Sequence, residues 1–209
     1  GLLELVSTGT TSFYGSPGNR VHNISVGAKA INGALIKPGE EFSTLKRLGK
    51  IDASTGYLPE LVIKNNKTVP DYGGGLCQVS TTLFRSALNA GMEILERRNH
   101  SYRVSYYEPP IGMDATIFDP APDFRFKNNY SSYIFVQSKI VGTKITFEFY
   151  GTKDSRQIEI GQAVGFDYVE PPAPVETPDD SLQPGERKQV QKSHQGASAK
   201  FHYKVTRDG

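Results

Sequence analysis

Three consecutive glycines, Gly73-Gly74-Gly75, run directly into Leu76-Cys77-Gln78-Val79-Ser80-Thr81-Thr82-Leu83, and this junction constrains the fold more than any other stretch. Over residues 78–90, Val79, Leu83, Phe84, Ala87 and Leu88 recur at helical spacing. This predicts an amphipathic helix that Gly91 stops. The backbone just upstream carries no side chains, so a substrate can come close to the helix start. Cys77, the single cysteine of the 209 residues, falls in the first turn or at the cap. Helix starts favour thiolate, and the placement reads as a nucleophile.

Elsewhere the period is mostly that of strands. A short helix is expected between Ser16 and Gly33, with Val21, Ile24, Ala28 and Ile31 as its buried stripe. From Pro38 to about Asp71 the chain reads as loop, with one strand-like run at Leu61-Val62-Ile63. Strands follow at 92–96, 102–107, 133–140 and 144–150, the last two joined by a turn at Val141-Gly142-Thr143. With 21 glycines, 13 prolines, 11 tyrosines and 11 phenylalanines, the composition agrees with turns and aromatic strands. The fold class expected is α+β, a mainly antiparallel sheet with two short helices over residues 1–153. A small all-β module is expected over 154–209, with a proline-rich extended segment at 169–184 and strands at 189–191 and 200–206.

Charge narrows the partners. Lys and Arg number 24 against 22 Asp and Glu, spread without a basic block, which argues against nucleic acid. No run approaches the roughly 20 apolar residues of a membrane span, and residues 1–15 lack a signal-peptide pattern. One cysteine and scattered histidines do not offer paired zinc-ligand spacings, so neither a metal nor another cofactor is expected.

A cysteine nucleophile needs a base, and histidine is the usual one. His22 lies on the first helix, while His194 and His202 belong to the C-terminal module. His100 follows the strand after the Cys77 helix, where a return strand brings it toward the helix start. Asp114, in Gly112-Met113-Asp114-Ala115-Thr116, is the acid expected to orient that imidazole. Gly74, Gly75, Gln78, Arg97 and Ser101 complete the candidate site. The N–H groups of Cys77 and Gln78 would serve as oxyanion donors, with the Gln78 side chain as an alternative, and Arg97 or Arg98 could bind a substrate carboxylate. Structural readings stand beside these: a free cysteine is often a small buried hydrophobe, and Asp114 can be a turn residue.

The glycine–cysteine motif, together with Glu96-Arg97, His100-Ser101 and Gly112 to Thr116, resembles the VanW domain family. Arg20-Val21-His22-Asn23-Ile24, Asn32-Gly33 and Lys37-Pro38-Gly39-Glu40-Glu41-Phe42-Ser43 match its upstream pattern, so the resemblance runs from about Ser7 to Tyr150. It implies a Gram-positive cell-wall protein, and for some members an L,D-transpeptidase whose cysteine forms an acyl-enzyme with a peptidoglycan stem peptide. By the same resemblance the protein is extracytoplasmic, with a membrane anchor in the full-length chain. A non-catalytic peptidoglycan-binding module and a cysteine amidase or endopeptidase are the competing functions. The tail, from Leu182-Gln183-Pro184-Gly185 to Tyr203, is similar to the five-glycine β-domain that often follows VanW domains.

Overall fold

In the computed structural model, which describes residues 3–64, 67–101, 103–104, 107–189, 193 and 195–209, strand β1 (Glu4–Ser12) leads into helix α1 (Gly18–Ile31). Short strands β2 (Ala34–Ile36) and β3 (Glu41–Ser43) precede helix α2 (Thr44–Leu48). A hairpin of β4 (Pro59–Lys64) and β5 (Lys67–Tyr72) then delivers the chain to α3 (Leu76–Asn89). Strands β6 (Glu93–Glu96), β7 (Arg125–Lys127), β8 (Ile134–Val141) and β9 (Lys144–Gly151) complete the first part. Pairing is antiparallel throughout, in a four-stranded sheet of order β1-β9-β8-β2 and a three-stranded sheet β3-β7-β6.

The α+β class and both long helices match the sequence expectation. Helix α2 and strands β1, β2, β3, β5 and β7 are additions to it. Helix α2 is five residues long, too short for a period. It is held instead by a cap, the Ser43 hydroxyl accepting from the Lys46 N–H while Asp123 accepts from the Leu45 N–H at 3.0 Å. The strand expected at 102–107 includes Tyr102, Ser105 and Tyr106, which lie outside the described residues, as do Val190 and Gln191 of the run at 189–191, and His194.

Helix α3 lies on the inner face of the larger sheet. Val79, Leu83 and Ala87 are fully buried against Phe147, Phe149 and Ile145, each side chain of this size contributing about 1.5–3 kcal/mol by burial. Stacked rings of Phe126 on β7 and Phe149 on β9, 5.7 Å apart, join the two sheets. The approach of β1 to α3 depends on Gly9, where a Cβ would fall 2.5 Å from the Ser86 nitrogen. Around that contact the buried face of β1 is polar: the Ser7 hydroxyl donates to the Ser86 carbonyl at 2.9 Å, and Thr11 bonds Thr82 at 2.7 Å. Helix α1 packs on the start of α3 through Gly27, whose Cβ would meet Leu76 at 2.5 Å.

Beyond β9 the chain forms two strand pairs, β10 (Gln157–Ile160) with β13 (Tyr203–Thr206) and β11 (Val164–Val169) with β12 (Gly196–Lys200). Residues 170–189 contain no helix or strand. Arg156 ties this part to the first. Its guanidinium, 3% exposed, donates to the carbonyls of Ala90, Gly91 and Asn129 and lies 3.2 Å from the centre of the Tyr130 ring.

Candidate active site

Cys77 is the second residue of α3, two positions past the Gly75 cap, whose φ of +111° an L side chain rarely adopts. The three glycines before it are a packing junction. A Cβ on Gly74 would lie 2.8 Å from the Leu61 carbonyl oxygen of β4, and one on Gly75 would lie 3.1 Å from the Arg20 carbonyl oxygen of α1. Their open side borders a cavity of about 260 Å³ that Cys77 and His100 line, with Arg20 on one wall, Asp71 of β5 on another, Thr116 beside the thiol and Tyr107 beside the His100 ring.

His100, buried in the segment after β6, meets Asp114 through its Nδ1, 2.5 Å from Oδ2, and the same carboxylate oxygen accepts the His100 backbone N–H at 2.9 Å. With Nδ1 engaged there, Nε2 is the nitrogen left for the thiol. Burial alone would push the Cys77 thiol up, but the His100 hydrogen bond and charge outweigh it, with smaller contributions from Thr116 and the Ile117 backbone, so the net direction is down. Burial likewise lowers His100, yet Asp114 and Cys77 overcome it and raise the imidazole from 6.5 to about 9. The Asp114 carboxyl, which burial would raise, is lowered by His100 and Arg97. All three shifts run toward a thiolate beside an imidazolium that a carboxylate holds from behind, the arrangement of a nucleophile, its base and an orienting acid.

The Asp114 segment is fastened to α3 itself. The Ser80 hydroxyl donates to the Ala115 carbonyl at 2.5 Å, the Ala115 N–H donates to Thr81 at 3.0 Å, and Arg85 Nε donates to the Met113 carbonyl at 3.0 Å. Arg97 faces the same segment, donating to the Asp114 carbonyl at 2.6 Å, to the Gly112 carbonyl, and to Asp114 Oδ1 at 3.3 Å, with its guanidinium over the Phe84 ring. Its hydrogen bonds thus run to the protein, and it acts to position Asp114.

Of the other expected site residues, Gly74 and Gly75 line the cavity, whereas Ser101 is exposed and stands outside its lining. Gln78 points the other way. Its side chain is buried against β1, Nε2 donating to Thr11 at 3.1 Å, and its backbone N–H donates to the Gly75 carbonyl at 3.0 Å, so neither group faces the thiol as an oxyanion donor. His22 bonds the Gly56 carbonyl and takes no part. The residues that sequence reasoning passed over are Thr116, already inside the quoted 112–116 motif, Tyr107, and the β4–β5 wall. Thr116 carried a visible signal, since it lies two positions from Asp114.

The family model for VanW like proteins matches residues 19–150. An uncharacterized protein of Bacillus subtilis, YoaR, is 37% identical over 142 residues, covering 68% of this chain and 46% of its own. The vancomycin B-type resistance protein VanW of Enterococcus faecalis is 34% identical over 148 residues, covering 69% of this chain and 48% of its own. The chain thus spans about half the length of these curated relatives. No solved structure matches it. The span of the family match, together with two relatives above 30% identity, makes this chain a member of the VanW family.

Proposed function

We propose that this VanW-family chain is a cysteine L,D-transpeptidase that forms 3-3 cross-links between peptidoglycan stem peptides outside the cytoplasm. The observation that carries the reading is His100, which touches Asp114 at 2.5 Å and lowers the Cys77 thiol where both line one cavity. In the first half-reaction Cys77 Sγ attacks the carbonyl carbon of the third stem residue. The C–S bond forms, the imidazolium gives its Nε2 proton to the amine of D-alanine, the C–N bond breaks and free D-alanine leaves. In the second half-reaction, neutral His100 takes a proton from the acceptor amine as it attacks the thioester; the new C–N bond forms, the C–S bond breaks, and Cys77 leaves as thiolate, restoring the ion pair. Asp114 keeps Nδ1 protonated through both.

The test is intact-protein mass spectrometry after incubation with purified muropeptides. The reading expects a mass increase confined to the peptide that carries Cys77, new cross-linked dimers among the products, and loss of both with Cys77→Ala. Cross-linking by the Cys77→Ala protein overturns it. Shortened stems or fewer cross-links with no dimers point to water as acceptor and an amidase or endopeptidase. Undiminished binding by Cys77→Ser, with no mass shift in wild type, points to a wall-binding module.

A further inference from the structure

Acyl transfer at Cys77 requires donors for the oxygen that becomes negative as Sγ attacks, and Gln78 supplies none. Its N–H belongs to the Gly75 carbonyl and its side chain to Thr11. We infer that the Thr116 hydroxyl, with the Cys77 N–H, forms the oxyanion site of this enzyme, an assignment that rests on the acyl-transfer reading of Cys77. Thr116 Oγ1 lies 3.4 Å from Cys77 Sγ and borders the cavity. Its backbone is fixed by the Thr116 N–H donating to the Arg98 carbonyl at 2.8 Å, while Ala115, one residue before, is bonded to Ser80 and Thr81 of α3. The hydroxyl is therefore held at a set position relative to the nucleophile without being consumed by the contacts that hold it.

The chemistry follows from that placement. When Sγ bonds the carbonyl carbon, the carbonyl electron pair moves onto oxygen, and that oxygen stands one bond beyond the carbon, next to Sγ. A hydroxyl already touching Sγ reaches it within the roughly 2.7–3.1 Å that stabilises an oxyanion. The Cys77 N–H points from the first turn of α3 and, among the described residues, has no backbone acceptor. In the resting enzyme the same hydroxyl turns to the thiolate, consistent with its part in lowering the thiol. As the tetrahedral intermediate forms, the negative charge moves from sulfur to oxygen and the hydroxyl follows it by rotation about one bond. Collapse of the intermediate returns the electron pair to the carbonyl and expels the amine protonated by His100.

The experiment separates this role from a simple effect on the thiolate. Wild type, Thr116→Val, Thr116→Ser and Cys77→Ala are reacted in parallel with 4-nitrophenyl acetate, whose acyl transfer passes through an oxyanion, and with iodoacetamide, whose displacement does not. The Cys77→Ala rate is subtracted as background, and the acylation-to-alkylation ratio cancels any change in thiolate fraction. Thr116→Val is expected to lower the ratio about 10²-fold, and Thr116→Ser, which keeps the hydroxyl, to restore it. An unchanged ratio in Thr116→Val, with wild type acylated at Cys77, overturns the oxyanion assignment and leaves the acyl-transfer reading intact. A wild type that is alkylated at Cys77 but never acylated there overturns both.

Discussion

Replacing Asp114 by asparagine removes the charge behind His100 and keeps the shape, and the structure sets the size of the effect. Burial is the largest influence on the imidazole and lowers it; the Asp114 hydrogen bond is the largest of those that raise it, and the outcome is about 9. The distance from 6.5 to about 9, at about 1.4 kcal/mol per pH unit, amounts to about 3 kcal/mol in favour of the protonated ring. In Asp114→Asn burial is left less opposed, so the imidazole is expected to fall to its ordinary value or below. The thiol loses part of the positive charge that lowers it. In wild type the His100 hydrogen bond and charge lower the thiol from its ordinary 9.0, so iodoacetamide alkylation is expected to rise earlier on the pH axis than for an ordinary thiol. The proposed acyl transfer would also need the protonated imidazole and is expected to decline as pH passes about 9, giving a bell. In Asp114→Asn the acid limb of alkylation is expected to move up by at most about two pH units, the 3 kcal/mol being the most that the ring passes on to the thiol, and the rate on the acid side of the wild-type limb to fall by up to about 10²-fold. The assay is the alkylation rate from pH 5 to 10, followed by intact mass. A profile that superimposes on wild type refutes the argument that Asp114 sustains the ion pair.

Two further substitutions test how the fold supports the site. Arg156→Ala removes a donor from the carbonyls of Ala90, Gly91 and Asn129 and uncovers Tyr130; Tyr130 Oη and Asn129 Nδ2 still reach the first two, so the change is expected to destabilise by roughly 2 kcal/mol in urea titration while alkylation of Cys77 is unchanged. Unchanged stability sinks the view that this residue anchors the C-terminal strands. Gly75→Ala places a Cβ 3.0 Å from Ile24 at a φ of +111°, a strain of about 1–3 kcal/mol, and should slow alkylation as well as lower stability. Gly33→Ala shares the positive φ, at +76°, but meets nothing within 4 Å; equal effects of the two on Cys77 would show that crowding at the helix cap is irrelevant.

Helices α1 and α3 were legible because each buries one apolar stripe, and the β8–β9 hairpin because Gly142 separates two alternating runs. Strand β1 was not legible for a physical reason. Its buried positions are Ser7, Gly9 and Thr11, chosen for close approach and hydrogen bonding to α3, so the alternation of apolar residues that marks a strand is absent. Strand β7 has one buried residue, Phe126, and offers no period at all. At the site, Cys77, His100 and Asp114 were each named from residue type and position, and the structure brings them together. Gln78 misled because a position next to Cys77 on a helix points about 100° away from it, here into the core.

That geometry also explains why α3 is polar where it is most buried. Ser80, Thr81 and Thr82 are fully buried, an arrangement that would destabilise a helix whose only task was to fill a core. Thr82 turns to Thr11 on β1, while Ser80 and Thr81 turn to Ala115, beside Asp114. One helix therefore holds Cys77 at its start and, one turn on, grips the segment that bears Asp114 and Thr116. Any shift of α3 carries Cys77, Asp114 and Thr116 together, and their separations are preserved under motions that would pull apart a site assembled from independent loops. His100 alone is not on that rigid unit, and it is recovered through Asp114, which bonds both its ring and its backbone N–H. Asp114 thereby fixes the position of His100 and favours its protonated ring, which is why asparagine at 114 is expected to change the pH profile and to leave the backbone path of the segment as it is.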